Sequence, residues 1–296
     1  MNPDKKNLKI VLPGGAGLVG QNLVARLKAR GYQHIVVLDK HRANIAVLKK
    51  VQPTITVEYA DLAEQGGWQQ HIKDADVVVM LQAQIGGNDY QDFVRNNLDA
   101  TKWILQSIKE SGRARLIHIS SSVVESVADD FYTNTKKTQE RMVLDSGIAC
   151  PILRPTLMFG WFDRKHLGWL ARFMQKVPVF PIPGNGRYMR QPLYAGDFCE
   201  VIISCIENIA HQGIYNISGH EKIDYVDMIH TIKQATHAPA WIVHIPYGLF
   251  YSLLWLWAVF DKNPPFTTQQ LIALCAKDEF EVMDWPTVFG WPYTPF

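Results

Sequence analysis

From Lys9 to about Pro155, short β-branched runs alternate with longer stretches of helical period. That alternation predicts a parallel sheet covered by helices on both faces, because each strand run is apolar throughout and each helix offers one apolar stripe. The strands expected are Ile10 to Leu12, Ile35 to Leu38, Ile55 to Tyr59, Val77 to Leu81, Leu116 to Ser120 and Pro151 to Arg154. Between the first two, Val19, Leu23 and Leu27 recur at four-residue steps, so polar Gln21 and Arg26 are expected outside the buried stripe. The first eighty residues are βαβαβ in character. From about Gly160 the texture changes: Pro178, Pro181, Pro183, Gly184 and Gly186 crowd one loop, and the tail is rich in Trp and Pro. This predicts a second, less regular lobe, without internal repeat or low-complexity tract.

Composition narrows the class. A chain of 296 residues can bury one large α/β core plus a smaller appendage. With 47% hydrophobic and 20% charged residues it is an average globular composition, far from disorder. The formal charge of +2 is too small to argue for nucleic acid. Four cysteines, at 150, 199, 205 and 275, form no CxxC pair or metal-binding spacing. The basic start carries only a short apolar run ending at Pro13, which lacks the h-region of a signal peptide. A reducing cytoplasm is the expected location.

Gly14, Gly15, Gly17 and Gly20 lie between the first predicted strand and the first predicted helix. Lacking Cβ atoms, they let the backbone turn sharply and approach a pyrophosphate, and the amides of Gly17, Leu18 and Val19 at the helix start face its charge. Asp39 closes the second strand, where a carboxylate accepts hydrogen bonds from an adenosine ribose and repels a 2′-phosphate. NAD is the cofactor this favours, with Lys40 and Arg42 keeping NADP open. Asp61 and Leu62, after the third strand, are candidates to face the adenine, or Asp61 to cap a turn. The fold predicted is a doubly wound parallel sheet of the Rossmann type with a small C-terminal substrate lobe. Residues 1–155 form the dinucleotide-binding domain, and 156–296 mostly the substrate lobe, with some segments returning to the core.

Tyr132 and Lys136 stand four residues apart in YTNTK, on one face of a predicted helix. A free phenol, with a pKa of about 10, is a weak base at neutral pH, and an adjacent ammonium together with a positive nicotinamide ring brings it towards working range. Ser120, Ser121 and Ser122 end the fifth strand at its carboxyl end, where open α/β sheets place their sites. A hydroxyl there can hold a substrate oxygen.

GGAGLVG, Asp39, Asp61-Leu62, NNLDAT, HISSS, YTNTK, ILRPTLMFG, GNGRYMRQPLYAGD and GWPYTPF together resemble the extended short-chain dehydrogenase/reductases, the NAD-dependent epimerase/dehydratase family. The resemblance implies hydride chemistry at a secondary alcohol or ketone, with Tyr132, Lys136 and Ser122, or Ser121, as the catalytic set. It also implies that Lys136 holds the nicotinamide ribose, that Asn97 supports the active-site water network on the substrate-binding side, that Arg190 meets a substrate diphosphate, and that a homodimer can form. The preferred substrate is a nucleotide-activated sugar. The family's epimerases usually carry Asn where this chain has Leu157, HxAA where it has Met80, Leu81, Gln82 and Ala83, and a longer interval than that from Ser122 to Tyr132. These departures resemble atypical relatives, including the branch near an accessory subunit of respiratory complex I. A dehydrogenase of an apolar, steroid-like or lipid-linked carbonyl, or a non-catalytic dinucleotide-binding accessory protein, are therefore the alternatives.

One segment stands apart. Ile245 to Phe260 is apolar and aromatic, and at sixteen residues is shorter than the roughly 20 that span a bilayer. It predicts no transmembrane helix but either a helix packed on the second lobe or one lying in a membrane interface.

Overall fold

The computed structural model describes residues 6–261, 268–275, 281 and 283–296. The basic start of the chain, at 1–5, lies outside them. Six strands precede the middle of the chain: β1 Ile10–Pro13, β2 Ile35–Asp39, β3 Thr56–Tyr59, β4 Val77–Met80, β5 Arg115–Ile119 and β6 Pro151–Pro155. Each predicted run is therefore a strand, to within a residue at either end. The strands pair in parallel in the order β3-β2-β1-β4-β5-β6, with Ile10 beside both Ile35 and Val77. The order reverses between β1 and β4, which opens a crevice at their carboxyl ends.

Burial follows from the pleat. Ile10 and Leu12 point into one apolar layer while Val11 points into the other, so β1 is apolar at every position because both faces are covered. The first layer is closed by α1 Leu18–Ala29 and α2 Arg42–Val51. The second is closed by α3 Trp68–Lys73, with the short α4 Tyr90–Phe93 leading into α5 Ala100–Ser111 and α6 Phe131–Asp145.

Beyond Pro155 the chain leaves the sheet and returns. The pair β7 Met158–Phe159 and, after α7 Leu167–Met174, the strand β8 Val179–Pro183 lead to β9 Met189–Arg190 and β10 Leu193–Tyr194. Helix α8 Ala195–Glu207 then lies against α1, and β11 Gly213–Ile217 adds a seventh parallel strand beside β6. The coverage by α8 corrects one expectation. Gln21 does not face outward but is buried, donating to the Ala16 carbonyl at 2.8 Å, because α1 is packed on the sheet on one side and on α8 on the other. Arg26 lies where its charge can pair, at 3.3 Å from Glu200 of α8.

The remaining elements are β12 Ile223–Asp224, α9 Tyr225–Thr236, β13 Trp241–Ile245, α10 Tyr247–Phe260, α11 Thr268–Cys275 and α12 Trp285–Phe289. Helix α9 packs with α7 and β8 in a third, smaller apolar cluster around Phe180, Ile182, Met228 and Ile229. The four cysteines are free thiols, three of them buried.

The tail is bound back to the sheet through Trp285, which is fully buried in the first layer and donates its indole N–H to the Ser218 carbonyl at 2.8 Å. Trp285→Ala is expected to lower unfolding stability by about 3–5 kcal/mol through the lost area and the cavity left behind. Chemical denaturation at matched pH measures this, and a loss under about 1 kcal/mol would show that the tail is not part of the core.

Candidate active site

The carboxyl ends of the central strands bring the expected residues to one edge. Gly14 follows β1 with φ +76°, and a Cβ there would lie 2.4 Å from Cα of Gln82, so β1 and β4 meet backbone to backbone. Gly20 packs equally closely on the turn, where a Cβ would sit 2.2 Å from the Gly15 carbonyl oxygen. Gly17 differs. It caps α1 in extended conformation, and its added Cβ would meet no more than the Gly14 carbonyl oxygen at 3.5 Å. The space it leaves faces the crevice, beside the first amides of α1 at Leu18 and Val19, which have no partner within their own helix. That is the cradle a pyrophosphate requires.

Asp39 ends β2 beside this cradle. Its carboxylate accepts the Ala16 amide at 3.0 Å and the His41 amide at 2.8 Å, which fixes it at the rim of the glycine turn. The two cations that kept a 2′-phosphate open are engaged elsewhere: Lys40 donates to Asn96 at 2.6 Å, and Arg42 lies 4.2 Å from the centre of the Tyr59 ring. The donor set fits NAD.

On the adenine side, the Leu62 side chain is buried in the second apolar layer. Asp61 caps its turn through the Ala63 amide at 3.2 Å and pairs with Arg95 at 2.8 Å. Partial burial works against its charge, but the Arg95 hydrogen bond, the Ala63 amide and the neighbouring cations hold it below the usual carboxylate range.

On the other side of the crevice, local capping sets the catalytic geometry. Ser121 caps a single tight turn, Ser122–Glu125, and Asp130 caps α6 by accepting the Thr133 amide at 2.9 Å. Tyr132 and Lys136 therefore fall on the first two turns of α6, over the end of β5. The three serines divide. Ser120 donates to Glu140 at 2.5 Å, Ser121 stands near enough to the Tyr132 phenol to lower its pKa, and Ser122 is buried at the start of the tight turn. Ser121 is thus the serine that acts on the phenol.

Lys136 is almost wholly buried and donates to the Ile119 carbonyl at 3.0 Å and to Gln139 Oε1 at 2.5 Å. Burial pulls its pKa down to about 7, with Glu140 opposing. Burial also raises the Tyr132 phenol above its ordinary value; the Ser121 hydrogen bond lowers it and Asp130 raises it further. In the protein's own field Lys136 does not lower the phenol, because its ammonium is turned to Ile119 and Gln139; the expectation joined it to the positive nicotinamide ring.

Asn97 lies inside the fold rather than on its surface. It is fully buried on a π-helical turn, Val94–Asp99, accepts the Gln84 amide at 2.7 Å and donates to Thr135 at 3.0 Å, so it joins the loop after β4 to α6. Arg190 is partly buried, and its guanidinium donates to the carbonyls of Met189, at 2.7 Å, and Leu274.

Sequence reasoning missed a buried relay. Gln82 and Gln139 both donate to Thr101 Oγ1, at 3.2 and 2.8 Å, and Gln139 in turn accepts from Lys136. The signal was present in Gln82, an amide where the family's epimerases carry alanine, but its partner on α6 is visible only in three dimensions.

A doubly wound sheet with a glycine cradle, a ribose-side carboxylate and a Ser-Tyr-Lys set defines a nicotinamide-dinucleotide-binding protein of short-chain dehydrogenase/reductase type. The NAD dependent epimerase/dehydratase family matches residues 10–218, and the chain belongs to that family of NAD-dependent enzymes. It is 26% identical over 282 residues to the mouse (Mus musculus) sterol-4-alpha-carboxylate 3-dehydrogenase, decarboxylating, covering 86% of this chain and 76% of that one. It is 23% identical over 273 residues to the UDP-N-acetyl-alpha-D-glucosaminuronate decarboxylase of Bacillus cytotoxicus, covering 82% and 85%. In fold it is similar to the UDP-glucuronic acid 4-epimerase from Bacillus cereus in complex with NAD, with TM-score 0.72 and 24% identity, over 81% of this chain and 88% of that one.

Gly17→Val is expected to fold normally, since its Cβ meets only the Gly14 carbonyl oxygen at ordinary contact distance, yet to lose NAD binding. Calorimetric titration beside a melting curve checks both, and unchanged affinity in the folded variant would overturn the cradle. The raised phenol gives a second expectation. Without NAD, the wild-type minus Tyr132→Phe ultraviolet difference spectrum should show no phenolate below about pH 10, the ordinary value for a tyrosine. A phenolate step near neutrality in the free protein would contradict the burial argument.

Proposed function

We propose that this enzyme oxidises or reduces a secondary alcohol or ketone of a nucleotide-activated sugar, with NAD as hydride carrier. The observation that carries the reading is the Tyr132 phenol beside Ser121 with Lys136 buried one turn further along α6, at the same sheet edge as the Gly17 cradle. NAD supplies the hydride acceptor or donor.

The chain supplies the rest. The amides of Gly17, Leu18 and Val19 would hold the pyrophosphate and Asp39 the adenosine ribose. Ser121 would orient the substrate oxygen, and Tyr132 Oη would take its proton in oxidation and return one in reduction. Of the three ammonium hydrogens on Lys136, two are committed to Ile119 and Gln139, which leaves one for the nicotinamide ribose. Asn97, through Gln84 and Thr135, holds the loop after β4 against α6 so that the two halves of the crevice stay in register.

The nucleotide-sugar reading is supported by the Bacillus cytotoxicus relative and the Bacillus cereus neighbour, whose names carry UDP-sugars. A second reading, a steroid-like secondary alcohol, is favoured by the mouse relative and by Leu157. Where the family's epimerases carry an amide, Leu157 packs half-buried against the third apolar cluster.

Turnover of NAD with UDP-sugars and with a carboxylated sterol alcohol, followed by NADH absorbance and product chromatography, separates the two. Tyr132→Phe is expected to keep NAD affinity and slow the chemical step by about 10² to 10⁴. Lys136→Met is expected to weaken both. Wild-type turnover by Tyr132→Phe would remove the phenol from the mechanism, and NAD binding without turnover of any tested substrate would favour an accessory role.

A further inference from the structure

Helix α10 is out of place on a protein surface. Its fourteen residues, YGLFYSLLWLWAVF, contain no acid, no lysine or arginine, and one hydroxyl outside the tyrosines, Ser252. Leu254 alone is buried; Leu253 is 50% exposed, Trp255 60%, Trp257 50%, Val259 62% and Phe260 83%. With about 100° between successive residues, these side chains leave the axis in well-separated directions, so the exposed apolar surface covers most of the helix circumference. A helix that is apolar all round is normally buried all round.

The patch continues into the preceding strand. Trp241 and Val243 of β13 are exposed on one face, and Val179 of β8, the registered partner of Trp241, is exposed beside them. At the foot of the helix, an open depression is lined by Asn185, Arg187, His244 and Pro246, the residue that caps α10. Arg187 there shares its charge with Asp224 at 2.9 Å.

We propose that α10 and the β13 face seat the second lobe on an anionic lipid bilayer, the helix lying in the interface with Arg187 and His244 at the level of the headgroups. Two features select a lipid surface over another protein. A symmetric contact with a second copy, or a groove on a partner, covers one face of a helix and leaves the opposite side in water. Hydrocarbon closes around every immersed direction at once. Trp and Tyr suit the boundary between hydrocarbon and water, and a cationic group at one end fits phosphate headgroups. The helix is about 21 Å long at 1.5 Å per residue, short of the roughly 30 Å of a hydrocarbon core. Among the described residues no helix is long and apolar enough to cross a membrane. The contact is therefore peripheral, and it stands on this surface whatever substrate the crevice takes.

Flotation of the full chain with vesicles of phosphatidylcholine, with and without phosphatidylglycerol, tests it against the double variant Trp255→Glu, Trp257→Glu. Neither residue belongs to the cofactor or catalytic set, so NAD affinity and melting temperature should be unchanged. The wild type is expected to float, more strongly on phosphatidylglycerol, and the variant to partition at least about tenfold less, the effect of moving roughly 1.4 kcal/mol of apolar burial. A wild type that stays in solution with both vesicles, or a variant that floats equally, overturns the proposal. So does a wild-type dimer that does not float and becomes monomeric in the variant, because that outcome gives the face to a second copy. Equal affinity for the two vesicles overturns the placing of Arg187 and His244 at the headgroups.

Discussion

The contact between Gly14 and the main chain of Gln82 is the constraint from which the active crevice is built. Two parallel strands that diverge at the switch point must still come close enough for a turn and a loop to share one cofactor. Here they come so close that no side chain fits at Gly14, whose positive φ excludes most residues in any case. Because Gln82 is pinned by this approach, its amide reaches Thr101 on α5, and Thr101 meets Gln139 on α6, which holds Lys136. The glycine cradle and Lys136 are thus joined through the close approach of Gly14 to Gln82 and the hydrogen bonds that run from Gln82 to Lys136. A shift in either strand end would be felt at both.

That chain also shows how the fold tolerates charge inside. Removing an ammonium from water carries a large penalty, and two hydrogen bonds to a carbonyl and an amide recover only part of it. The pKa of Lys136, drawn down to about 7, is the remainder. One turn further, Glu140 meets the same problem differently: it is buried but receives Arg154 Nε at 3.0 Å and the Ser120 hydroxyl, so its charge is matched. Full pairing fixes a structural carboxylate, whereas partial compensation leaves Lys136 able to respond to what binds beside it. A uniformly satisfied site would be more stable and less useful.

What was legible in the chain was what has a short period or a fixed spacing. Strands apolar at every position, a glycine run between strand and helix, and Asp39 at the next strand end all depend on neighbours close in sequence. The place of the Leu62 side chain was not legible, because a residue after a strand can turn either way, and the α3 layer supplied an apolar place for it. Gln21 was misplaced for a related reason: one apolar stripe on α1 implies one buried face, but α8, nearly two hundred residues later, covers the other. The assignment among the serines needed the path of the Ser122–Glu125 turn, which no periodicity encodes. The relay through Gln139 needed α5 and α6 side by side.

The short interval between the serines and Tyr132 closes the argument. The link from β5 to α6 begins with a single tight turn, Ser122–Glu125, and continues through irregular residues 126–130 to the cap of α6. Glu125 at the end of the turn accepts from Arg154 of β6 at 2.7 Å and from Asn216 of β11 at 3.1 Å, and Lys137 of α6 donates to the Ser126 carbonyl at 2.7 Å. The turn is therefore held by strands from both halves of the chain and by the helix it precedes. A turn tied at three points fixes the path of the chain from Ser121 into α6. Leu157, where this chain departs from the epimerase pattern, packs on the third apolar cluster of the second lobe.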